Sequence, residues 1–306
     1  MSADVLSLIS VSIDHLAQAL ILALAVAAVW LAPPFSPPDA RRRSRLLLAM
    51  VIVTLLCAGI DLVLRSAVMA DVVPAEAWGF VPRVLTHSDY GYYWMWRAGA
   101  WVVLLLVSMM VLIRGWNMAS AWVLLIAVLV IMSLVSVTHH AGENGFWTVA
   151  NIVNWFHLAG ISAWGGAVVC YALVVMPVLR RHAGVQQTAV AAQRLSTLAT
   201  VALVVVLLSG LFNCWQQMNE FRQLWTTDYG RVLSIKLVLV GVMMFIGAMN
   251  RFVWVPEVIA WRQSGQGWGA PSQRLFQVLR VDSVIFIAVM IAAVILGTQT
   301  PPAHAM

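Results

Sequence analysis

The sequence predicts an all-α, polytopic membrane protein with about eight transmembrane helices, arranged as two parallel four-helix repeats. Three observations predict it. Residues of the set AVILMFWYC fill 62% of the 306 positions, and charged residues only 10%. Blocks such as Val201 to Leu211 with its flanks and Val281 to Thr298 are long enough to span a bilayer as helix. The arginines stand between the apolar blocks, mostly on alternate sides of them.

In chain order the expected spans are residues 13–32, 46–66, 93–113, 119–138, 150–176, 195–216, 232–250 and 281–299. The start, Met1 to Ser12, has no basic region, and Asp14 and His15 interrupt the apolar stretch, so the first span reads as part of the mature chain. Prolines close the first and fifth spans at Pro33 and Pro177.

Twelve of the 18 basic residues fall on one side, among them Arg41, Arg42, Arg43, Arg45, Arg180, Arg181 and Arg194. Six fall at the other: Arg65, Arg83, Arg97, Arg222, Arg231 and Lys236. By the positive-inside rule the twelve face the cytoplasm, which leaves both termini in the periplasm. Trp78, Trp94, Trp96, Trp147, Trp155, Trp215 and Trp225 then share the outer interface. The net charge of +6 is therefore an orientation signal, with the lipid bilayer as partner and no nucleic acid implied.

Two motifs occur twice. Asp89-Tyr90-Gly91 with Arg97 matches Asp228-Tyr229-Gly230 with Lys236, and His15-Leu16-Ala17 matches His157-Leu158-Ala159, at offsets of 139 and 142. Four crossings separate the copies, which predicts a repeat of like orientation, residues 1–140 and 150–306, within one membrane domain. Asp89 and Asp228 are expected as helix N-caps. Arg97 and Lys236 lie deeper, and Asp61 is the acid expected to pair with Arg97.

Of seven histidines, only His182 falls on the arginine-rich side. His15, His87, His139, His140, His157 and His304 face outward. Imidazole suits copper, zinc, iron and nickel, and a histidine inside a span needs a partner, a cavity or a metal. His139 and His140 end the fourth span either as a solvated interfacial pair or as metal contacts. His15 and His157 are either ligands or histidines hydrogen-bonded across helices. Cys57, Cys170 and Cys214 read as small buried apolar residues without CxxC spacing. The fifteen methionines contain no Met-x-x-Met run and read mostly as packing. Gly165-Gly166 after Trp164 gives the fifth helix a smooth patch for close approach. No Walker sequence, GxSxG elbow, HExxH or dinucleotide fingerprint occurs, so no enzyme is predicted.

His157-Leu158-Ala159 with Trp164-Gly165-Gly166, then Tyr229-Gly230-Arg231 with Lys236, resemble the CopD copper-resistance inner-membrane protein family. Arg194-Leu195-Ser196, Ser209-Gly210-Leu211, Asn250-Arg251 with Pro256, and the Thr298 to Pro302 end add to the resemblance. It covers residue 150 to the C-terminus, with a weaker echo before. Where the family pattern reads Gly-His-Ala after the fourth span, this chain has His139-His140-Ala141, so His140 is the residue carried over. The resemblance implies copper transport or copper handling in the inner membrane of a Gram-negative bacterium, beside a periplasmic copper-binding protein of the CopC type. The expected path has His140 and His87 at the mouth and His15 and His157 deeper, with a copper ion of either oxidation state as cargo. The rivals are a membrane carrier with haem b between His15 and His157, and a scaffold that docks a copper protein without transport.

Overall fold

The computed structural model describes residues 3–31, 37–138, 146–182, 185–265 and 269–304, and among these residues every regular element is helical. Among the described residues eight helices are long and apolar enough to cross a membrane: Ala3–Trp30, Pro38–Ala70, Asp89–Arg114, Met118–Ser136, Val149–Arg181, Ala189–Gln217, Asp228–Trp261 and Ala270–Gly297. They run longer than the apolar blocks alone indicate, because each helix continues through polar residues at its ends, where the backbone still satisfies its own hydrogen bonds.

The elements are α1 (Ala3–Val26), α2 (Pro37–Ala70), α3 (Val81–His87), α4 (Asp89–Arg114), α5 (Met118–Ser136) and α6 (Val149–Cys170). After them come α7 (Met176–His182), α8 (Val185–Gln217), α9 (Gln223–Thr226), α10 (Asp228–Met249), α11 (Val255–Gln263) and α12 (Ala270–Gly297). Wide π-turns continue three of them, at Ala27–Leu31, Tyr171–Val175 and Asn250–Trp254. Each is followed two residues on by a proline, at Pro33, Pro177 and Pro256. A proline within a helix has no N–H for the i−4 carbonyl and crowds it, and a widened turn relieves that clash.

The core is centred on α1 and α6. Ala19, Ile21, Leu24 and Ala25 of α1 are fully enclosed, and Trp164, Ala167 and Cys170 of α6 are buried with them. Gly166 meets the Ala19 carbonyl and Gly165 meets the Phe286 ring of α12, so the glycine pair lets α6 pack against a helix on each side. At the arginine-rich end, side chains tie distant parts of the chain together. Arg181 donates to Asp39 at 3.2 Å, Arg194 donates to the Trp30 carbonyl at 2.6 Å, and Arg43 stacks on Trp116 at 3.9 Å.

The two Asp-Tyr-Gly motifs build the same local structure. Ser88 and Thr227, both extended, are the N-caps of α4 and α10; their hydroxyls accept from Gly91 N and Gly230 N, each at 3.0 Å. The same hydroxyls donate back to Val84 O and Gln223 O, at 2.7 and 2.8 Å. This corrects the expectation of aspartate caps. Asp89 and Asp228 occupy the first helical position, where a carboxylate still favours the positive helix end. A Cβ on Gly91 would fall 2.2 Å from Val84 O, and one on Gly230 would fall 1.9 Å from Gln223 O. Only glycine lets the preceding short helix fold against the span at this corner.

Asn151 is buried at the start of α6 and links it to α5. Ser136 Oγ donates to Asn151 Oδ1 at 2.7 Å, and Asn151 Nδ2 donates to the Phe146 carbonyl at 2.8 Å. Asn151→Leu takes the amide donor from the Phe146 carbonyl and the amide acceptor from Ser136, which keeps its bond from Asn154. It is expected to lower unfolding stability in detergent by about 1–3 kcal/mol.

Candidate functional site

Polar side chains concentrate at the end of the bundle where α1, α6 and α10 start, in two clusters. The first is built by α1, α2 and α4. Asp14 and Gln18 stand one turn apart on α1, and Gln18 Nε2 donates to Asp14 Oδ2 at 2.8 Å. Asp14 Oδ1 is buried without a hydrogen-bond partner. Asp61 of α2 accepts from the Tyr90 hydroxyl of α4 at 2.6 Å and lies 3.9 Å from Arg65. Arg97, 5% exposed, lies 5.7 Å from the Tyr90 ring centroid and 5.4 Å from that of Trp101. The charges of Asp61 and Arg97 both act on Asp14 and His15, which makes these residues one electrostatic unit.

The direct Asp61–Arg97 ion pair expected from the sequence does not form. Arg97 is seven residues beyond Tyr90 on the same face of α4, so the tyrosine hydroxyl takes the carboxylate and the guanidinium rests on aromatic faces. Arg97 is buried there and does not snorkel.

The second cluster is built by α6, α8 and α10. His157 Nδ1 lies 3.0 Å from Ser209 Oγ, and Ser209 donates to the Val205 carbonyl at 2.5 Å. A hydroxyl has one proton. With that proton on Val205, the serine oxygen is placed to accept from His157 Nδ1–H, and the Val206 carbonyl of α8 also takes a hydrogen bond from the ring. Neutral imidazole is the form that binds a metal. Gly210 leaves room for the ring, since a Cβ there would stand 3.2 Å from His157 Cε1. Half-buried Lys236 acts electrostatically on His157 and on Cys214.

A polar seam continues from His157. Asn151, Asn154 and His157 share one face of α6, and Ser209, Asn213 and Gln217 share one face of α8. Asn154 Nδ2 donates to Ser136 Oγ at 2.9 Å, Asn213 Nδ2 donates to Asn154 Oδ1 at 3.5 Å, and the Tyr229 hydroxyl bonds Gln217. Tyr90 with Asp61 and Tyr229 with Gln217 are the same contact made in each cluster, with an acid in one and an amide in the other. The sequence reading passed over Asn154, Asn213 and Gln217. Their spacing of three or four residues within apolar helices was the available signal.

His15 and His157 belong to different clusters. Ala19 meets Gly166, His15 precedes Ala19 by four residues and His157 precedes Gly166 by nine. At 1.5 Å per residue His157 is about 7.5 Å nearer the helix starts. His87 ends α3 exposed, and its Nδ1 lies 2.6 Å from Thr86 Oγ1, which itself donates to Pro82 O. His139 and His140 lie outside the described residues. Among the described residues no group of three or more His, Cys, Asp or Glu is placed to hold a metal ion. All three cysteines are free.

Two family models match the chain. Residues 189–296 match the one described as copper resistance protein D, and residues 3–149 the one described as copper resistance protein D-like, N-terminal domain. Inner membrane protein YebZ of Escherichia coli (strain K12) is 27% identical over 78% of this chain and 81% of its own length. Copper resistance protein D of Pseudomonas syringae pv. tomato is 25% identical over 85% of this chain and 84% of its own. Copper transport protein CutJ of Bacillus subtilis (strain 168) is 26% identical over 80% of this chain and 44% of its own. No solved structure matches the chain.

Proposed function

Because this chain belongs to the copper resistance protein D family, we propose that it carries copper across the bacterial inner membrane and accepts the ion at its histidine end. The observation that carries the reading is His157. Its Nδ1 lies against Ser209 inside a span, where an idle histidine is costly. His15, beside Asp14 and Asp61, supplies the second nitrogen site, in a cluster where the two carboxylates add oxygen donors. His87, His139 and His140 form the mouth, and this end faces the periplasm with both termini. A periplasmic copper-binding protein of the CopC type delivers the ion there.

The two clusters correspond to the two halves of the chain, residues 1–140 and 150–306, which we read as a parallel repeat passing the ion between them. One half offers imidazole with carboxylates and the other imidazole with Cys214 nearby, so harder and softer forms of the ion each find a donor set.

Titration of the purified protein with copper tests this. The His15→Ala/His157→Ala double variant is expected to lose high-affinity binding, and Ser209→Ala alone to weaken it about tenfold by freeing the ring. Unchanged stoichiometry and affinity in the double variant would sink the proposal. Copper flux into proteoliposomes separates a permease from a scaffold, and a Soret band in the purified protein would replace copper by haem.

A further inference from the structure

A cavity of about 380 Å³ lies between α6, α8, α10 and α12, towards the arginine-rich end and inward of His157. Its wall is mostly apolar, including Trp164, Leu203, Met244, Leu275 and Leu279. Six polar side chains break that wall: Ser196, Thr200 and Arg251, which bond one another, and Tyr171, Asn250 and Asp282 on three different helical segments. The Tyr171 hydroxyl, Asn250 Oδ1 and Asp282 Oδ1 are all buried without a hydrogen-bond partner. Tyr171 and Asp282 are each 1% exposed. Arg251 also lines the cavity, but its guanidinium is engaged by neutral oxygens of α8, Ser196 Oγ at 3.0 Å and Thr200 Oγ1 at 2.8 Å, and makes no ion pair with Asp282.

Tyr171 and Asn250 each open a π-turn. Such turns recur at functional sites because they turn side chains and carbonyls out of the regular ladder. Buried polar atoms are satisfied in native proteins, so three in one cavity call for an occupant with polar atoms of its own. An acyl tail fills the apolar wall and leaves all three orphaned. An alkali ion meets the oxygens but not a chamber this large and apolar. The volume is that of a small-molecule site, with an apolar lining and a few polar groups to fix orientation.

We infer that this cavity binds a membrane-soluble hydroxyaromatic molecule of the hydroquinone class, its ring against the apolar wall and its oxygens on Tyr171, Asn250 and Asp282. Two of the orphans are oxygens able to accept, which is what a diol satisfies by donating, and Tyr171 adds a hydroxyl able to do either. The site is separate from the histidine clusters and does not depend on them.

The test uses the full chain in quinone-free nanodiscs, titrated anaerobically with decyl-ubiquinol and, in parallel, with decylbenzene, which has the tail and ring but no oxygens. Decyl-ubiquinol is expected to bind at least about tenfold tighter. Tyr171→Phe keeps the packing and is expected to lower quinol affinity about five- to tenfold, as is Asp282→Leu, with decylbenzene unaffected. His157→Ala is expected to bind the quinol as the parent does. Equal affinity for the two compounds would show a lipid-filled cavity and overturn the inference. So would quinol binding untouched by both substitutions, or no binding of either compound.

Discussion

Gly166→Leu is expected to abolish assembly of the helical bundle, and Gly166→Ala to cost about 2–3 kcal/mol. A Cβ at Gly166 would stand 2.4 Å from the Ala19 carbonyl oxygen and 2.9 Å from its carbon. Both atoms are backbone, so no rotamer change relieves the clash, and α1 has to move away from α6. That movement opens the most enclosed part of the core, where Ala19, Ile21 and Leu24 are inaccessible to solvent. Without a hydrophobic driving force between helices in lipid, close packing carries the association, which makes the loss large. Gly165→Ala is the comparison. Its Cβ would overlap the Phe286 ring at 1.9 Å, and Phe286 is 1% exposed, so a rotamer change has nowhere to go unless α12 shifts. Equilibrium unfolding in mixed micelles checks both, with Gly247→Ala as the control, since nothing lies within 4 Å of a Cβ there.

Arg97→Met is expected to destabilise the protein by about 3 kcal/mol, whereas Lys236→Met at the repeated position costs within about 1 kcal/mol. The difference follows from the neighbours. Arg97 is 5% exposed and acts on Asp14, His15 and Tyr90 in a cluster holding two carboxylates, and its removal leaves Arg65, beside Asp61, as the cation that remains there. Lys236 is half-buried and faces His157 and Cys214, so removing it orphans no acid. The Arg97→Met/Asp61→Asn double variant is expected to recover about 1 kcal/mol relative to the sum of the single changes, although the two residues do not touch. Additive single and double variants would mean that Arg97 acts through packing on Tyr90 and Trp101 alone.

The eight spans were legible because hydrophobic blocks bounded by arginines admit few other readings. Their ends were not, since the polar residues of Ala3 to Ser12 and Asp89 to Tyr92 continue helices whose apolar content begins later. The duplicated Asp-Tyr-Gly motif was legible and so was its corner position. Choosing Ser88 over Asp89 as the cap was not, because both residue types cap well and only the backbone angle separates them. The prolines at 33, 177 and 256 marked where helices are disturbed, yet a proline is equally compatible with a kink, a stop or a π-turn.

Candidate ligands were legible as residue types, not as a site. His15 and His157 open the same His-Leu-Ala tripeptide, but His157 lies against Ser209 and Gly210, while His15 has carboxylates and an arginine for neighbours. Asp61 and Arg97 were visible as opposite charges near one membrane face, but Tyr90 intervenes between them. Two charges in one leaflet say nothing about which side chain lies between.

The sequence alone established that this protein is a helical membrane bundle and that it crosses about eight times. In hydrocarbon the backbone must bond to itself, so a long apolar block can only be helix, and composition then sets the crossings. Only the tertiary structure decided which face each helix turns inward, and hence that His157 meets Ser209, that Tyr90 takes Asp61, and that Tyr171, Asn250 and Asp282 share one cavity. Helix rotation in a bilayer is set by close contacts between backbones, such as Gly166 on Ala19, and in helices apolar on nearly every face no periodicity marks the inner side.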